Sequence, residues 1–192
     1  MRSLLIHRLY APLAITISMI GSANTQAQVP TPQEPRTKLE AFEKQTGTVV
    51  VKGFSNAGSV SGLGTVSVIC MEFTDVSTGI RQLGVVIEVT ESGRLERSDR
   101  SFVDYDEIEP LLKGIDYISQ VTPAATKLAK FEATYKTKGD LRVITFSGAS
   151  GQIEAAVSSG YIGAVSCFIS TAKLSELRAI IAQAKHRLDE IK

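Results

Sequence analysis

One pattern written twice restricts this chain more than any other feature. "SFVDYDEIEPLLKGI" begins at Ser101 and "CFISTAKLSELRAII" at Cys167. Residues 84–121 slide onto 150–187 without a gap. Ile87, Glu88, Ser92, Phe102, Leu111 and Ile115 then meet Ile153, Glu154, Ser158, Phe168, Leu177 and Ile181, and Asp104 meets Ser170. In both copies the apolar residues change from alternation, the strand period, to the three-and-four spacing of a helix. Each half therefore has to end as strands followed by a helix.

The strands come in fours. In the first unit, 47–121, "TVVVKGF", "TVSVICMEF", "IRQLGVVIEVT" and "RLERSDRSFV" are rich in β-branched and aromatic residues. The Gly/Ser-rich "SNAGSVSGLG" reads as a connection between the first two, and "TDVSTG" and "ESG" as turns. The fourth strand carries charge on both faces until Phe102, which suits a sheet edge. In the second unit, 129–191, "KFEATYKT", "LRVITFS", "QIEAAVS" and "YIGAVSCFI" are joined by "KGD", "GASG" and "SG". A short helix over "TKLEAFEKQTG", stopped at Gly47, precedes both units.

Two helices follow the strands. Asp104 is a good N-cap, and Glu107, three residues on, makes an aspartate version of the capping box. Ile108, Leu111, Leu112, Ile115 and Ile118 form one apolar stripe. Beyond the first turn Pro110 would break a helical hydrogen bond, so the regular helix is expected to begin later than a cap at Asp104 would place it. Ser170 or Thr171 caps the second helix, with Leu174, Leu177, Ile181, Ala184, Leu188 and Ile191 as its stripe.

Short turns between strands give antiparallel meanders, and a helix with one apolar stripe must cover a sheet or another helix. The expected fold is α+β: two four-stranded antiparallel β-meanders, each followed by an amphipathic helix (ββββα-ββββα), sharing one core. That element order resembles the Whirly and PUR-type single-strand nucleic-acid binders. The resemblance is of topology alone, with no motif of those families present, and implies single-strand binding only by analogy.

The N-terminus reads as an address. Arg2, His7 and Arg8 precede the apolar run from Leu9 to Ile20 and the small residues of "GSANTQAQ". This is the build of a secretory signal peptide, 1–27, cleaved after Ala27 or after Ala23. The apolar run is shorter than the ~20 residues of a membrane-spanning helix. Residues 28–37, with Pro30, Pro32 and Pro35, read as a proline-rich linker, and 38–192 as a single domain. The expectation is an exported protein, periplasmic or extracellular, without a transmembrane segment once the leader is removed.

Candidate chemistry is sparse. Cys70 and Cys167 are the only cysteines. An oxidising compartment permits a disulfide between them, and their apolar settings equally suit two independent buried thiols. Neither spacing nor histidine content builds a zinc site. Asp104, Asp106, Glu107 and Glu109 lack the order of a calcium loop and read as charges stabilising a helix N-terminus. "GSVSGLGTV" lacks the phosphate-binding motif and leads into a strand rather than a helix. "SGASG" joins two strands, so it is no nucleophile elbow. His186 is the one histidine past the leader, and its place beside Lys185 and Arg187 near a helix end suits a solvated residue. The formal charge of +1 rests on 21 bases and 20 acids, well mixed. Arg94, Arg97, Arg100, Lys130, Lys136, Lys138 and Arg142, with Phe131 and Tyr135 among them, are diluted by Glu96, Asp99, Glu132 and Asp140. No cofactor is indicated. The sequence thus points to a non-enzymatic domain that binds a protein or a small molecule. A Whirly-like single-strand binder and a hydrolase using an unrecognised carboxylate pair are the alternatives.

Overall fold

The computed structural model describes residues 34–192. The expected leader, 1–27, and residues 28–33 of the expected linker lie outside the described residues. The order is α1 (Lys38–Glu43), β1 (Val50–Gly62), β2 (Gly64–Asp75), β3 (Arg81–Glu91), β4 (Arg97–Asp104) and α2 (Tyr105–Ser119). A 3-10 turn at Pro123–Ala125 leads to β5 (Glu132–Lys136), β6 (Arg142–Ser147), β7 (Ile153–Ser159), β8 (Val165–Ile169) and α3 (Thr171–Ile191). The strands form two antiparallel sheets in sequence order, β1-β2-β3-β4 and β5-β6-β7-β8. The ββββα-ββββα reading holds.

One core joins both halves. Val66, Val68, Cys70 and Ile87 of the first sheet meet Val143, Val157, Val165 and Cys167 of the second. The stripes of α2 (Ile108, Leu111, Leu112, Ile115) and α3 (Leu174, Leu177, Ile181, Ala184, Leu188) belong to the same core. Each large aliphatic side chain so buried contributes roughly 1.5–3 kcal/mol. Ile191, expected in the α3 stripe, is half-exposed at the end of the helix, beside Gly53 and Ser55 of β1.

The Gly/Ser-rich stretch is a correction: it is not a loop. β1 continues through it to Gly62, with a bulge between Asn56 and Gly58 that restores the inward direction of Val60. Small polar residues suit this strand because its outer face meets solvent. Gly62 and Gly64 flank the hairpin tip at Leu63. A Cβ on them would lie 2.1 Å from the Phe168 carbonyl oxygen and 2.0 Å from that of Thr90, so only glycine allows the approach. The Leu63 N–H then donates to the Phe168 carbonyl at 2.9 Å, tying the first sheet to β8.

Three further expectations are corrected. α2 starts directly after Asp104 and holds Pro110 within it; the carbonyl deprived of its partner belongs to exposed Asp106, where water is at hand. The gapless repeat holds for the last strand and helix of each half but not for the strand before them. Phe102 faces Val86, whereas Phe168 faces Ala156, four residues beyond the position that the slide assigns. The described end of the linker, 34–37, is anchored: Thr37 is buried as the N-cap of α1, and Arg36 pairs with Asp140 of the β5–β6 turn.

Candidate functional site

The outer face of the first sheet is covered only in part. Across the strands, Lys52, Phe73 and Gln82 form one row, Phe54, Met71 and Gly84 the next, and Asn56, Ile69, Val86 and Phe102 a third. α1 lies over part of this surface through Leu39 and Phe42, whose ring stacks on Phe73 at 6.4 Å between centroids. Beside α1 a cleft of about 320 Å³ remains, lined by Phe54, Ile69, Met71, Val86 and Phe102. Phe54 is 76% exposed there.

Three charged residues ring the cleft: Glu43, Lys52 and Arg100. Lys52 Nζ meets Glu43 Oε1 at 2.9 Å and sits 5.3 Å from the centre of the Phe73 ring, so these two charges balance. Arg100 differs. Its Nε donates to Glu88 Oε2 at 3.2 Å, while its two terminal nitrogens bond no described residue. A guanidinium with its fork open is suited to a planar anion such as a carboxylate. Among the described residues Glu43 is the one acid lining the cleft, and no carboxylate pair of hydrolytic type forms there.

The acidic patch at α2 is divided among separate tasks. Asp104 has no side-chain bond to its own helix; its oxygens accept the N–H groups of Lys38 at 2.9 Å and Leu39 at 3.1 Å. The expected capping box is therefore absent. Glu107 Oε1 accepts the Lys138 N–H at 2.8 Å, and Oε2 has no partner among the described residues. Burial raises the Glu107 pKa above the usual carboxylate range. Asp106 pairs with Lys38 at 3.2 Å, which holds its pKa low, and Glu109 is exposed. Among the described residues no cluster of three or more metal-ligating side chains occurs.

The remaining candidates are dispersed. Cys70 and Cys167 are both buried and free, and burial pushes both thiols up. "SGASG" forms the β6–β7 turn, closed by the Gly148 N–H on the Gln152 carbonyl at 2.8 Å. His186 is exposed on α3, with Glu190 at 3.6 Å. Arg97 donates to the Gly163 carbonyl at 2.5 Å, Lys136 pairs with Asp140 at 2.8 Å, and Tyr135 packs against α2. Arg97 and Lys136 thus both reach the loop between β7 and β8, where Lys136 lies 5.6 Å from the centre of the Tyr161 ring.

The second sheet also presents an open face. Phe146 and Phe168 meet edge to face at 6.2 Å between centroids. Register places Glu132 and Glu154 on either side of Phe146, so this ring pair is flanked by negative charge.

Of the cleft residues the sequence offered Arg100, in the basic group, and Phe102, but not the apolar wall of Phe54, Ile69, Met71 and Val86. A signal was present in "ICMEF": Ile69, Met71 and Phe73 are apolar at one parity while Cys70 is apolar at the other, so β2 carries apolar residues on both faces. No described helix is long and apolar enough to cross a membrane. Comparison of the chain with protein-family models, with curated proteins and with solved structures finds no match in any of the three.

Proposed function

We propose that this is an exported, non-catalytic binding domain whose site is the cleft on the first sheet. Its ligand would be a small amphipathic molecule with an apolar body and a single carboxylate or similar planar anion. The observation that carries this reading is the pairing of an apolar cleft with Arg100 at its mouth, two of whose nitrogens are unengaged. The volume falls at the small end of ligand sites, which are mainly apolar with a few orienting polar groups. Lys52 and Glu43 offset each other, leaving Arg100 to set the charge preference. Export rests on the leader pattern of residues 1–27.

A Whirly-like strand binder would use the ring pair of the second sheet, where Glu132 and Glu154 repel a phosphate backbone. A hydrolase would need a second acid near Glu43. Both readings are therefore weaker.

Calorimetric titration with aryl and short alkyl carboxylates, against their amides, tests the proposal. The carboxylates bind the wild type. Arg100→Gln weakens them about tenfold and leaves the amides unchanged, as expected for a charged hydrogen bond. Met71→Trp, which fills the cleft, abolishes both. No heat with any compound at millimolar concentration would end this reading.

A further inference from the structure

The four sheet edges are not equally protected. β4 is held to the second sheet through Ser159 Oγ on Asp99 Oδ2 at 2.7 Å and the Ser101–Ser159 hydroxyl pair at 2.7 Å. β8 receives Leu63 of the first hairpin. β5 is five residues long and carries Glu132 and Lys136. β1 is thirteen residues long, mostly exposed, and has Lys52 as its single charge. Long edges with so little charge are templates for another strand.

The direction of its free groups follows from two bonds. The Val49 carbonyl accepts the Val76 N–H at 3.0 Å, so odd-numbered residues up to Ser55 point toward β2. The Asn56 carbonyl instead accepts Arg187 Nη1 at 2.9 Å, reaching around the open side. The N–H and C=O groups of Val50, Lys52 and Phe54 thus face away from the sheet. Around them Val49 is 67%, Val51 55% and Phe54 76% exposed.

We infer that β1 pairs antiparallel with β1 of a second copy of this chain, about a twofold axis at Gly53. In that register Lys52 lies opposite Phe54 of the second copy, and Val50 opposite Asn56. Lys52 repeats across the axis the cation–ring contact that it already makes with Phe73. A register placing Lys52 opposite Lys52 is opposed by like charge. Val51 and Ser55 face each other on the inner side, and Gly53 leaves the axis unobstructed. The bulge after Asn56 and the Arg187 side chain end the ladder, so the assembly closes at two copies.

Sedimentation velocity on the full chain, as expressing cells process it, is expected to show a dimer that dissociates on dilution. Phe54→Pro removes an N–H that points away from β2 and is expected to give a monomer with unchanged thermal unfolding. Gly53→Cys supplies a second readout. Residues directly opposed without mutual hydrogen bonds lie about 4.5 Å apart between Cα atoms, within disulfide range. Mild oxidation is expected to cross-link Gly53→Cys into covalent dimers while Ser55→Cys stays monomeric. A wild type that stays monomeric at about 100 μM, or a Ser55→Cys protein that cross-links as fast as Gly53→Cys, would overturn the inference. Phe54→Pro also alters the cleft wall, so ligand binding is compared on Gly53→Cys and Ser55→Cys, whose side chains lie on the opposite face of the sheet.

Discussion

The carboxylate of Asp104 accepts the backbone N–H of Leu39 at 3.1 Å, so the residue that opens α2 caps α1 instead. With the Lys38 bond at 2.9 Å, it satisfies two of the donors left free at the start of a six-residue helix. So short a helix has little stability of its own and depends on this anion and on Leu39 and Phe42. Asp104→Ala is expected to cost about 2 kcal/mol in urea unfolding, the size of a lost cap. Amide exchange should accelerate across 38–43, and ligand affinity should fall, because Glu43 lines the cleft. Unchanged exchange in α1 would contradict this.

Gly114 of α2 faces the Tyr135 ring of β5. A Cβ there would stand 2.2 Å from a ring carbon. In an exposed helix, alanine for glycine gains up to about 1 kcal/mol. Here overpacking costs roughly 1–3 kcal/mol, and the clash wins. Gly114→Ala should lower the melting temperature, and adding Tyr135→Leu should restore much of the loss. The double-mutant cycle measures the coupling.

Local chemistry explains what was legible in the sequence. Alternation in "TVSVICMEF" marked β2, and the three-and-four spacing of Leu174, Leu177, Ile181, Ala184 and Leu188 marked α3, because each depends only on near neighbours. The misreadings came from distant partners. Asp104 and Glu107 stand at capping-box spacing, yet their bonds reach residues 66 and 31 positions away. Gly62 and Gly64 looked like flexible linkage, whereas the chain passing beside them in β8 and β3 demands glycine. The cleft was obscured because its wall combines β1–β4 with α1, and pattern along one strand does not show which outer face a preceding helix leaves bare.

Asp75 organises the β2–β3 turn. Its Oδ1 accepts the Ser77 hydroxyl at 2.6 Å, the Ser77 N–H at 2.8 Å and the Thr48 hydroxyl at 3.1 Å. These bonds, the Ser77 hydroxyl foremost, lower its pKa to about 2. A carboxylate lowered by folding stabilises the native state above its unfolded pKa and loses that contribution as pH falls through the folded one. Between about pH 4 and pH 2 the wild type should therefore lose stability that Asp75→Asn does not. Circular dichroism melts across that range provide the comparison, and parallel curves would show that the turn is not titrating.

Glu107 works in the opposite sense. It is buried, one oxygen holds the Lys138 N–H, and the other has no partner among the described residues. Desolvation raises its pKa, with Asp104 and Asp106 adding to the effect and the Lys138 N–H and ammonium opposing it. A carboxyl raised by folding stabilises the native state fully below its unfolded pKa, and that contribution is lost as pH rises through the folded value. The wild type should accordingly melt higher just above pH 4 than at pH 7. Glu107→Gln keeps an acceptor for Lys138 and carries no charge, so it should flatten this slope and exceed the wild type at pH 7. Burying an amide costs less than burying an uncompensated carboxylate, which decides the sign. A Glu107→Gln protein that melts below the wild type at pH 7 would show that the carboxylate is satisfied, against the position of its second oxygen.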